Sequence, residues 1–96
     1  MVIEMLTFAI DPTQRDAWLA KEERVWSRFL ERQPGFVRQE MWVSAGDDDE
    51  VHAVIWWESM QAWKAISAEA VAAVDEQMGE WFREPSMRAF HVLREC

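Results

Sequence analysis

The order in which strand-like and helix-like segments alternate most constrains how this chain can fold. Met1–Ile10 is an apolar run rich in β-forming residues, and this pattern predicts a first strand. After Pro12 the apolar residues recur at spacings of four and seven, with charged residues between them, which predicts an amphipathic helix ending at Pro34-Gly35. Phe36–Ser44 and Val51–Glu58 are again β-rich and flank a polar turn, so they predict a hairpin.

The second half of the chain predicts another helical region and a final strand. Ser59 and Ser67 are suitable N-caps, so this region is predicted as a short helix followed by a longer one. In the longer helix Gly79 lowers the stability slightly without ending the helix, which continues to Glu84-Pro85. With Ser86–Glu95 as the last strand, the order is β-α-β-β-α-β. This order predicts the α+β class and a ferredoxin-like plait, a four-stranded antiparallel sheet with both helices on one face.

Both faces of the predicted sheet are apolar. On the third strand Ala53 and Trp57 alternate with Val54 and Trp56, whereas a face exposed to solvent would show polar residues at alternate positions. The helices can cover only one of these faces, and we expect a second copy of the chain to cover the other. In such a homodimer Trp56 and Val54 lie in the interface, with Trp56 as its anchor. Ala53 and Trp57 then face the helices.

Length and charge exclude several classes of function. A chain of 96 residues favours a single domain over residues 1–96. The formal net charge of −8 argues against nucleic acids and anionic membranes as partners. The single cysteine, Cys96, cannot form an internal disulfide, and no leader or membrane-spanning run is visible, so a cytoplasmic location is expected. Motifs for phosphate loops, zinc sites and serine hydrolases are absent.

Several short motifs resemble a known family. The PGF step at Pro34–Phe36 and the W-E-S-x-x-x-W step at Trp57–Trp63 are similar to those of the dimeric α/β-barrel superfamily, and most nearly to its antibiotic biosynthesis monooxygenases. The chain resembles more closely a small family known mainly from cyanobacteria, in PGF itself and in VIE at Val2–Glu4, VW at Val25-Trp26, MWV at Met41–Val43, VIWWES at Val54–Ser59 and WKAI at Trp63–Ile66. The monooxygenase resemblance implies oxidation of polycyclic phenolic substrates by O₂ without a cofactor, in a pocket between the sheet and the helices.

The same resemblance implies which residues form the pocket. Trp57 and Trp63 match two aromatic pocket positions, and Ala53 stands where some members carry asparagine. Stacked indoles suit a flat aromatic ligand, although these side chains can instead fill the cavity themselves. A haem-degrading branch is also similar, but the predicted helix Ser67–Glu84 lacks the histidine that would bind haem, and the chain has no asparagine. No metal or cofactor is therefore predicted.

Two carboxylates are candidates for acid–base chemistry. Glu4 and Glu40 lie on strands among apolar neighbours, so each either faces a wet cavity or pairs with a cation such as Lys64 or Arg38. Burial would raise the pKa of such a carboxyl group, and a general base for a phenolic substrate needs that property. An ion pair is the alternative for both residues.

Two functions remain open from the sequence. The first is a monooxygenase-like enzyme that oxidises a small hydrophobic aromatic substrate, with Trp57 and Trp63 shaping the pocket and Glu4 or Glu40 as base. The alternative is a non-enzymatic homodimer that binds a small apolar ligand or only stabilises itself. The absence of asparagine and tyrosine favours the alternative, because the relatives use these polar groups. A fold alone does not decide between the two.

Overall fold

Four strands form one sheet in the computed structural model, which describes residues 1–96: β1 (Val2–Ala9), β2 (Phe36–Val43), β3 (Glu50–Trp57) and β4 (Ser86–His91). Every neighbouring pair is antiparallel, and the order across the sheet is β2-β3-β1-β4. The hairpin strands β2 and β3 are adjacent, while β1 lies between β3 and β4. This is the predicted ferredoxin-like arrangement.

The first helical region contains a turn that its sequence pattern did not predict. It begins with a 3₁₀ turn at Pro12–Gln14 and continues as α1 (Arg15–Glu22), a π-helical turn at Glu23–Ser27 and α2 (Arg28–Leu30). A π-turn adds a residue to the helical repeat, and such turns are frequent at functional sites. The predicted helix is present, but it ends at Leu30, before Pro34-Gly35, and its regular α-helical period is interrupted after Glu22.

The second helical region is divided as predicted. The Ser59 hydroxyl accepts a hydrogen bond from the Ala62 backbone N–H at 3.1 Å, which begins α3 (Met60–Lys64). The Ser67 hydroxyl likewise begins α4 (Ala68–Met78). The prediction that Gly79 does not end the second helix is wrong. Gly79 adopts φ +58°, a conformation that favours glycine, and α4 ends there before a 3₁₀ turn at Gly79–Trp81.

The hydrophobic core is divided between the two ends of the β1–β3 pair. β1 pairs with β3 so that Val2 lies opposite Trp57 at one end and Phe8 lies opposite Val51 at the other. Two clusters of buried side chains occupy these ends: Val2, Leu30, Ile55, Trp57 and Trp63 in one, and Ile10, Trp18, Val51 and Met78 in the other. The middle of this sheet face, here called the helix face, lies between the clusters.

The opposite side of the sheet, here called the bare face, carries the alternate residues of each strand. A shallow groove of about 650 Å³ runs over it, lined by Ile3, Met5, Val54, Trp42, Phe90 and residues of the C-terminal segment. Trp42 is 43% exposed there. No helix of this chain is both long and apolar enough to cross a membrane.

Candidate active site

A cavity of about 440 Å³ lies between the helix face and the helices. Its floor is formed by residues of β1 and β3, namely Glu4, Leu6, Ala53 and Ile55. Aromatic side chains form much of its wall: Phe8, Trp18, Trp26, Trp63 and Phe82. Most of the lining is therefore apolar, and the few charged groups in it stand out.

Glu4 is one of these charged groups. Its side chain is on β1, is 9% exposed and accepts a hydrogen bond from the indole N–H of Trp57 at 3.1 Å. Burial raises the pKa of the Glu4 carboxyl group above its usual range, because a charge is poorly solvated there. The Trp57 hydrogen bond and the Lys64 ammonium group act in the opposite direction but do not cancel that effect. Glu4 is thus a buried acid–base group at the cavity floor.

Trp57 has a different role from the predicted one. It is fully buried, packs edge-to-face with Phe36 at 6.0 Å between ring centres, and does not line the cavity. Because it is the last residue of β3 and lies opposite Val2, its indole is enclosed in a core cluster. Its contribution to the cavity is indirect, through the hydrogen bond that orients Glu4.

Trp63 and Ala53 do lie in the cavity lining. Trp63 is on α3 and is 8% exposed, and the Lys64 ammonium nitrogen lies 4.0 Å from the centre of its ring. That distance is typical of a cation–π interaction. Lys64 also lines the cavity. Ala53 lies opposite Leu6 on β1, and both residues belong to the cavity floor.

Glu40 does not face this cavity. It lies on the bare face, because it alternates with the inward-facing Gln39 and Met41 on β2. Its carboxylate accepts a hydrogen bond from Trp42 Nε1 at 2.9 Å and forms an ion pair with Arg38 at 3.4 Å. The ion pair, the alternative considered for this residue, is therefore the observed arrangement. Glu40 is not placed to act on a ligand in the cavity.

Trp56 and Val54 lie on the bare face as predicted from their alternation. The Arg38 guanidinium group lies 4.0 Å from the centre of the Trp56 ring, and Trp42 meets that ring edge-to-face at 6.4 Å. Trp56 remains partly exposed, whereas Val54 is buried in the single chain and only 1% exposed. Trp56 and Trp42 thus expose more apolar surface than Val54 does.

Glu22 is a cavity residue that the sequence pattern did not identify. It is 4% exposed, lines the cavity and contacts Ser27 and Gln39. Burial raises the pKa of its carboxyl group. One signal was present: Glu22 lies four residues after Trp18 and seven before Phe29, on the apolar stripe of the helix. A charge in that stripe indicates a buried polar site.

Two other cavity tryptophans have their polar atoms bound. Trp18 donates its indole N–H to the Trp81 carbonyl at 3.0 Å, and Trp26 donates to the Asp75 carboxylate at 3.1 Å. Burial also raises the pKa of Asp75. These hydrogen bonds fix the two indoles, so their rings form rigid walls.

The histidines do not meet. His52 lies on the bare face, where its Nδ1 is 2.9 Å from the Thr7 hydroxyl, while His91 lies on β4 with β1 between them. No group of three His, Cys, Asp or Glu side chains is arranged to hold a metal ion.

The family of the chain follows from a comparison with family models. The model for antibiotic biosynthesis monooxygenases matches residues 1–93, nearly the whole chain. The chain belongs to the antibiotic biosynthesis monooxygenase family. The cavity described above is therefore the candidate active site of a member of this family. No match is found among curated protein sequences.

Solved structures of other proteins share the fold of this family member. One is a monooxygenase from the gene ActVA-Orf6 of Streptomyces coelicolor in complex with nanaomycin D, with a TM-score of 0.80 and 18% identity, covering 99% of this chain and 89% of that chain. Another is SnoaB, a cofactor-independent oxygenase from Streptomyces nogalater, in a variant form, with a TM-score of 0.69 and 18% identity, covering 98% and 94%. At such identities the similarity shows the fold alone.

Proposed function

We propose that this protein is a cofactor-independent monooxygenase that oxidises a small hydrophobic aromatic substrate with O₂. The observation that carries the proposal is a largely apolar cavity of about 440 Å³ with the buried carboxyl group of Glu4 at its floor. Small-molecule sites typically enclose roughly 300–1,000 Å³ and combine apolar walls with a few polar groups. A cavity filled by indoles, without a titratable group, would have favoured the non-enzymatic alternative.

The lining favours a flat and electron-rich ligand. Trp18 and Trp26 are held in place by hydrogen bonds, and Trp63 adds a third indole to the wall. Fixed aromatic rings stack well against a planar ring system and lose little side-chain entropy when they do so. A phenolic ring system would place its hydroxyl group at the only floor residue that is a strong acceptor, Glu4.

The proposed chemistry requires a base and a dry site. The Glu4 carboxylate accepts the phenolic proton, and the resulting phenolate donates electrons to O₂. A carbon–oxygen bond forms at the ring, and the oxygen–oxygen bond then breaks. One oxygen atom stays on the ring, which becomes a quinone, and the other leaves as water, so that phenol and O₂ give quinone and water.

Lys64 supports the negative charge that develops. Its ammonium group lines the cavity and acts electrostatically on Glu4. A cation in the lining of an apolar cavity stabilises negative charge, so it favours the phenolate and the peroxide anion that forms from it. The solved neighbours described as a monooxygenase and a cofactor-independent oxygenase support the proposal at the level of the fold.

Oxygen uptake tests the proposal directly. The purified protein is incubated with a panel of polycyclic phenols in metal-free buffer, and O₂ consumption and quinone absorbance are followed. We expect uptake with at least one phenol and a loss of about 100-fold in the rate for Glu4→Gln, since general bases contribute at least that factor. Glu40→Gln, on the other face, is the matched control and keeps the rate. Binding without O₂ uptake across the panel would favour the ligand-binding alternative and overturn the proposal.

We also propose that the bare face pairs with the bare face of a second copy. Trp42 is 43% exposed, lines the shallow groove and contacts the partly exposed Trp56. Exposed aromatic side chains of this kind dominate the energetics of protein interfaces. Pairing of the two sheets would remove this apolar surface from water. A monomer mass by light scattering at micromolar concentration would contradict the homodimer.

A further inference from the structure

Glu22, Ser27 and Gln39 form a closed ring of polar contacts at the cavity wall. The Ser27 hydroxyl oxygen lies 2.9 Å and 3.0 Å from the two Glu22 oxygens and 2.7 Å from Gln39 Oε1. Gln39 Nε2 lies 3.2 Å from Glu22 Oε1 and completes the ring. The π-helical turn makes the first contact possible, because Glu22 and Ser27 are five residues apart and would not face each other in a regular α-helix.

The number of protons available in this ring determines whether Glu22 is neutral or ionised. Ser27 has one hydroxyl proton, and its shortest contact is with the Gln39 carbonyl oxygen, which can only accept. If the hydroxyl donates to Gln39, the contact between Ser27 and Glu22 needs a proton from Glu22. If it donates to an ionised Glu22, two oxygen atoms meet at 2.7 Å without a proton between them. Only a neutral Glu22 satisfies all three contacts.

The opposite orientation of the Gln39 amide leads to the same result. Its nitrogen would then donate to Ser27, the Ser27 hydroxyl would donate to Glu22, and the amide oxygen would meet Glu22 Oε1 at 3.2 Å. An ionised Glu22 would then face the amide oxygen at 3.2 Å, an unfavourable contact between two acceptors that a proton on Glu22 removes. The observed orientation also lets Gln39 Nε2 contact the Met41 sulfur at 3.6 Å. In both orientations the neutral acid closes the ring.

The charged groups near Glu22 do not hold it in its ionised form. Glu22 forms no salt bridge, because Arg28 turns to Glu23 at 2.9 Å and to Glu31 at 2.7 Å. The hydrogen bonds of Ser27 and Gln39 and the charge of Arg28 lower the pKa of the Glu22 carboxyl group, whereas the negative charge of Glu23 raises it. The largest cause of the raised pKa is burial. The other charged groups that line the same cavity are Glu4, Lys64, Asp75, Arg83 and Glu84.

We infer that Glu22 is held as a neutral carboxylic acid and is the proton donor of the cavity, complementing Glu4. The two carboxyl groups have different partners: Glu4 accepts from a donor that carries no acceptor, the Trp57 N–H, whereas the ring around Glu22 requires the proton of Glu22. One cavity thus holds an acceptor on the sheet and a donor on the helix. Such divided environments assign acid and base roles in other enzymes.

The catalytic part of the inference rests on the proposed function, and its protons balance. Glu4 takes the phenolic proton, O₂ adds to the ring carbon, and the peroxide anion takes the proton of Glu22. The Glu22 carboxylate then removes the proton of that ring carbon while the oxygen–oxygen bond breaks. The hydroxide ion that leaves takes the proton from Glu4 as water. Both carboxyl groups return to their starting states.

Carboxyl ¹³C NMR of the protein with labelled glutamate tests the protonation state without any substrate. We expect the Glu22 signal, identified as the one lost in Glu22→Gln, to be that of a neutral acid at pH 7. Glu69→Gln, a change at an exposed position on α4, is the control and leaves that signal in place. A Glu22 signal that reports a carboxylate at pH 7 would overturn the inference, whatever the protein catalyses.

The activity of Glu22→Gln tests the donor role separately. The glutamine amide can donate to Ser27 and accept from Gln39, so the ring and the fold are kept while the transferable proton is lost. With a phenol that the unaltered protein oxidises, we expect about a 100-fold lower rate and an unchanged substrate Kd. An equal rate would refute the donor role and leave the proposed monooxygenase standing. If no phenol is oxidised, the proposed function fails and the NMR result alone decides the state of Glu22.

Discussion

The indole N–H of Trp57 donates a hydrogen bond of 3.1 Å to Glu4 Oε1, and both side chains are buried. The two residues lie diagonally across the β1–β3 pair, since Trp57 is opposite Val2 and Glu4 is opposite Ile55. A core tryptophan thereby holds the carboxyl group at the floor of a cavity that it does not itself line. The rigidity of the core fixes the position of the proposed base.

Removal of that N–H is expected to alter the titration of Glu4. Trp57→Phe keeps an aromatic ring in the core but leaves the Glu4 carboxylate without its hydrogen-bond donor. We therefore expect the pKa of Glu4 to rise further and the free energy of unfolding to fall by about 1–3 kcal/mol. NMR titration and denaturant unfolding measure the two effects. Trp42→Phe, which removes an indole N–H from Glu40 on the bare face, is the control. An unaltered Glu4 titration in Trp57→Phe would contradict the orienting role.

The raised pKa of Glu22 has a consequence for stability as a function of pH. Its pKa in the folded state lies above the ordinary 4.5 of the unfolded chain. Between these two pKa values the folded protein therefore binds more protons than the unfolded chain does. Stability from this group is therefore present below pH 4.5 and decreases as the pH rises through the folded-state pKa. Glu22→Gln removes this dependence.

Unfolding in urea between pH 4 and pH 8 measures the difference. We expect the stability of Glu22→Gln relative to the unaltered protein to increase as the pH rises, since only the unaltered protein must ionise a buried acid. A constant difference over this range would show that Glu22 titrates alike in the folded and unfolded chains.

Gly35 joins the first helical region to β2 and is expected to tolerate no side chain. Its φ of +85° disfavours other residues, and a Cβ there would collide with the Cβ of Ala62. We expect Gly35→Ala to lower the free energy of unfolding by about 1–3 kcal/mol. Gly46→Ala is the matched control, because a Cβ added at Gly46 would meet no atom within 4 Å and the φ of Gly46 is not positive. Equal melting temperatures for the two variants would contradict the predicted collision.

The homodimer can be tested with a charge on the bare face. Trp56→Glu places a carboxylate where the second copy is proposed to pack, so the mass in solution is expected to fall to that of one chain. Ala72→Glu, at an exposed position on α4, is expected to leave the mass unchanged. Circular dichroism establishes that both variants are folded. An unchanged dimer mass in Trp56→Glu would locate the interface elsewhere.

Local features of the fold were predictable because short-range interactions determine them. The hydroxyls of Ser59 and Ser67 cap the helices that follow them, each by accepting a hydrogen bond from the backbone N–H three residues later. The division of the second helical region could therefore be predicted from the sequence. The end of α4 could not, because Gly79 is compatible with both a weak helix and a left-handed terminus. Only the path of the chain towards β4 selects between them.

The candidate site was predictable in part. Alternation along β3 correctly assigns Ala53 and Trp57 to one face and Trp56 to the other, since successive side chains on a strand point to opposite sides. Alternation does not predict that Trp57 is enclosed in a core cluster while Ala53 lines the cavity. Glu40 was a candidate because its neighbours are apolar, but the parity of β2 turns it to the bare face.

The order of strands and helices and the apolar character of both sheet faces follow from the sequence, because hydrophobic period and capping residues act over a few positions. Which polar groups share the cavity depends instead on how distant parts of the chain pack together. Glu4, Glu22 and Gln39 are far apart in the chain and line one cavity only because β1, α1 and β2 pack together. Their protonation depends on that packing, since burial and hydrogen-bond partners set the pKa of a carboxyl group.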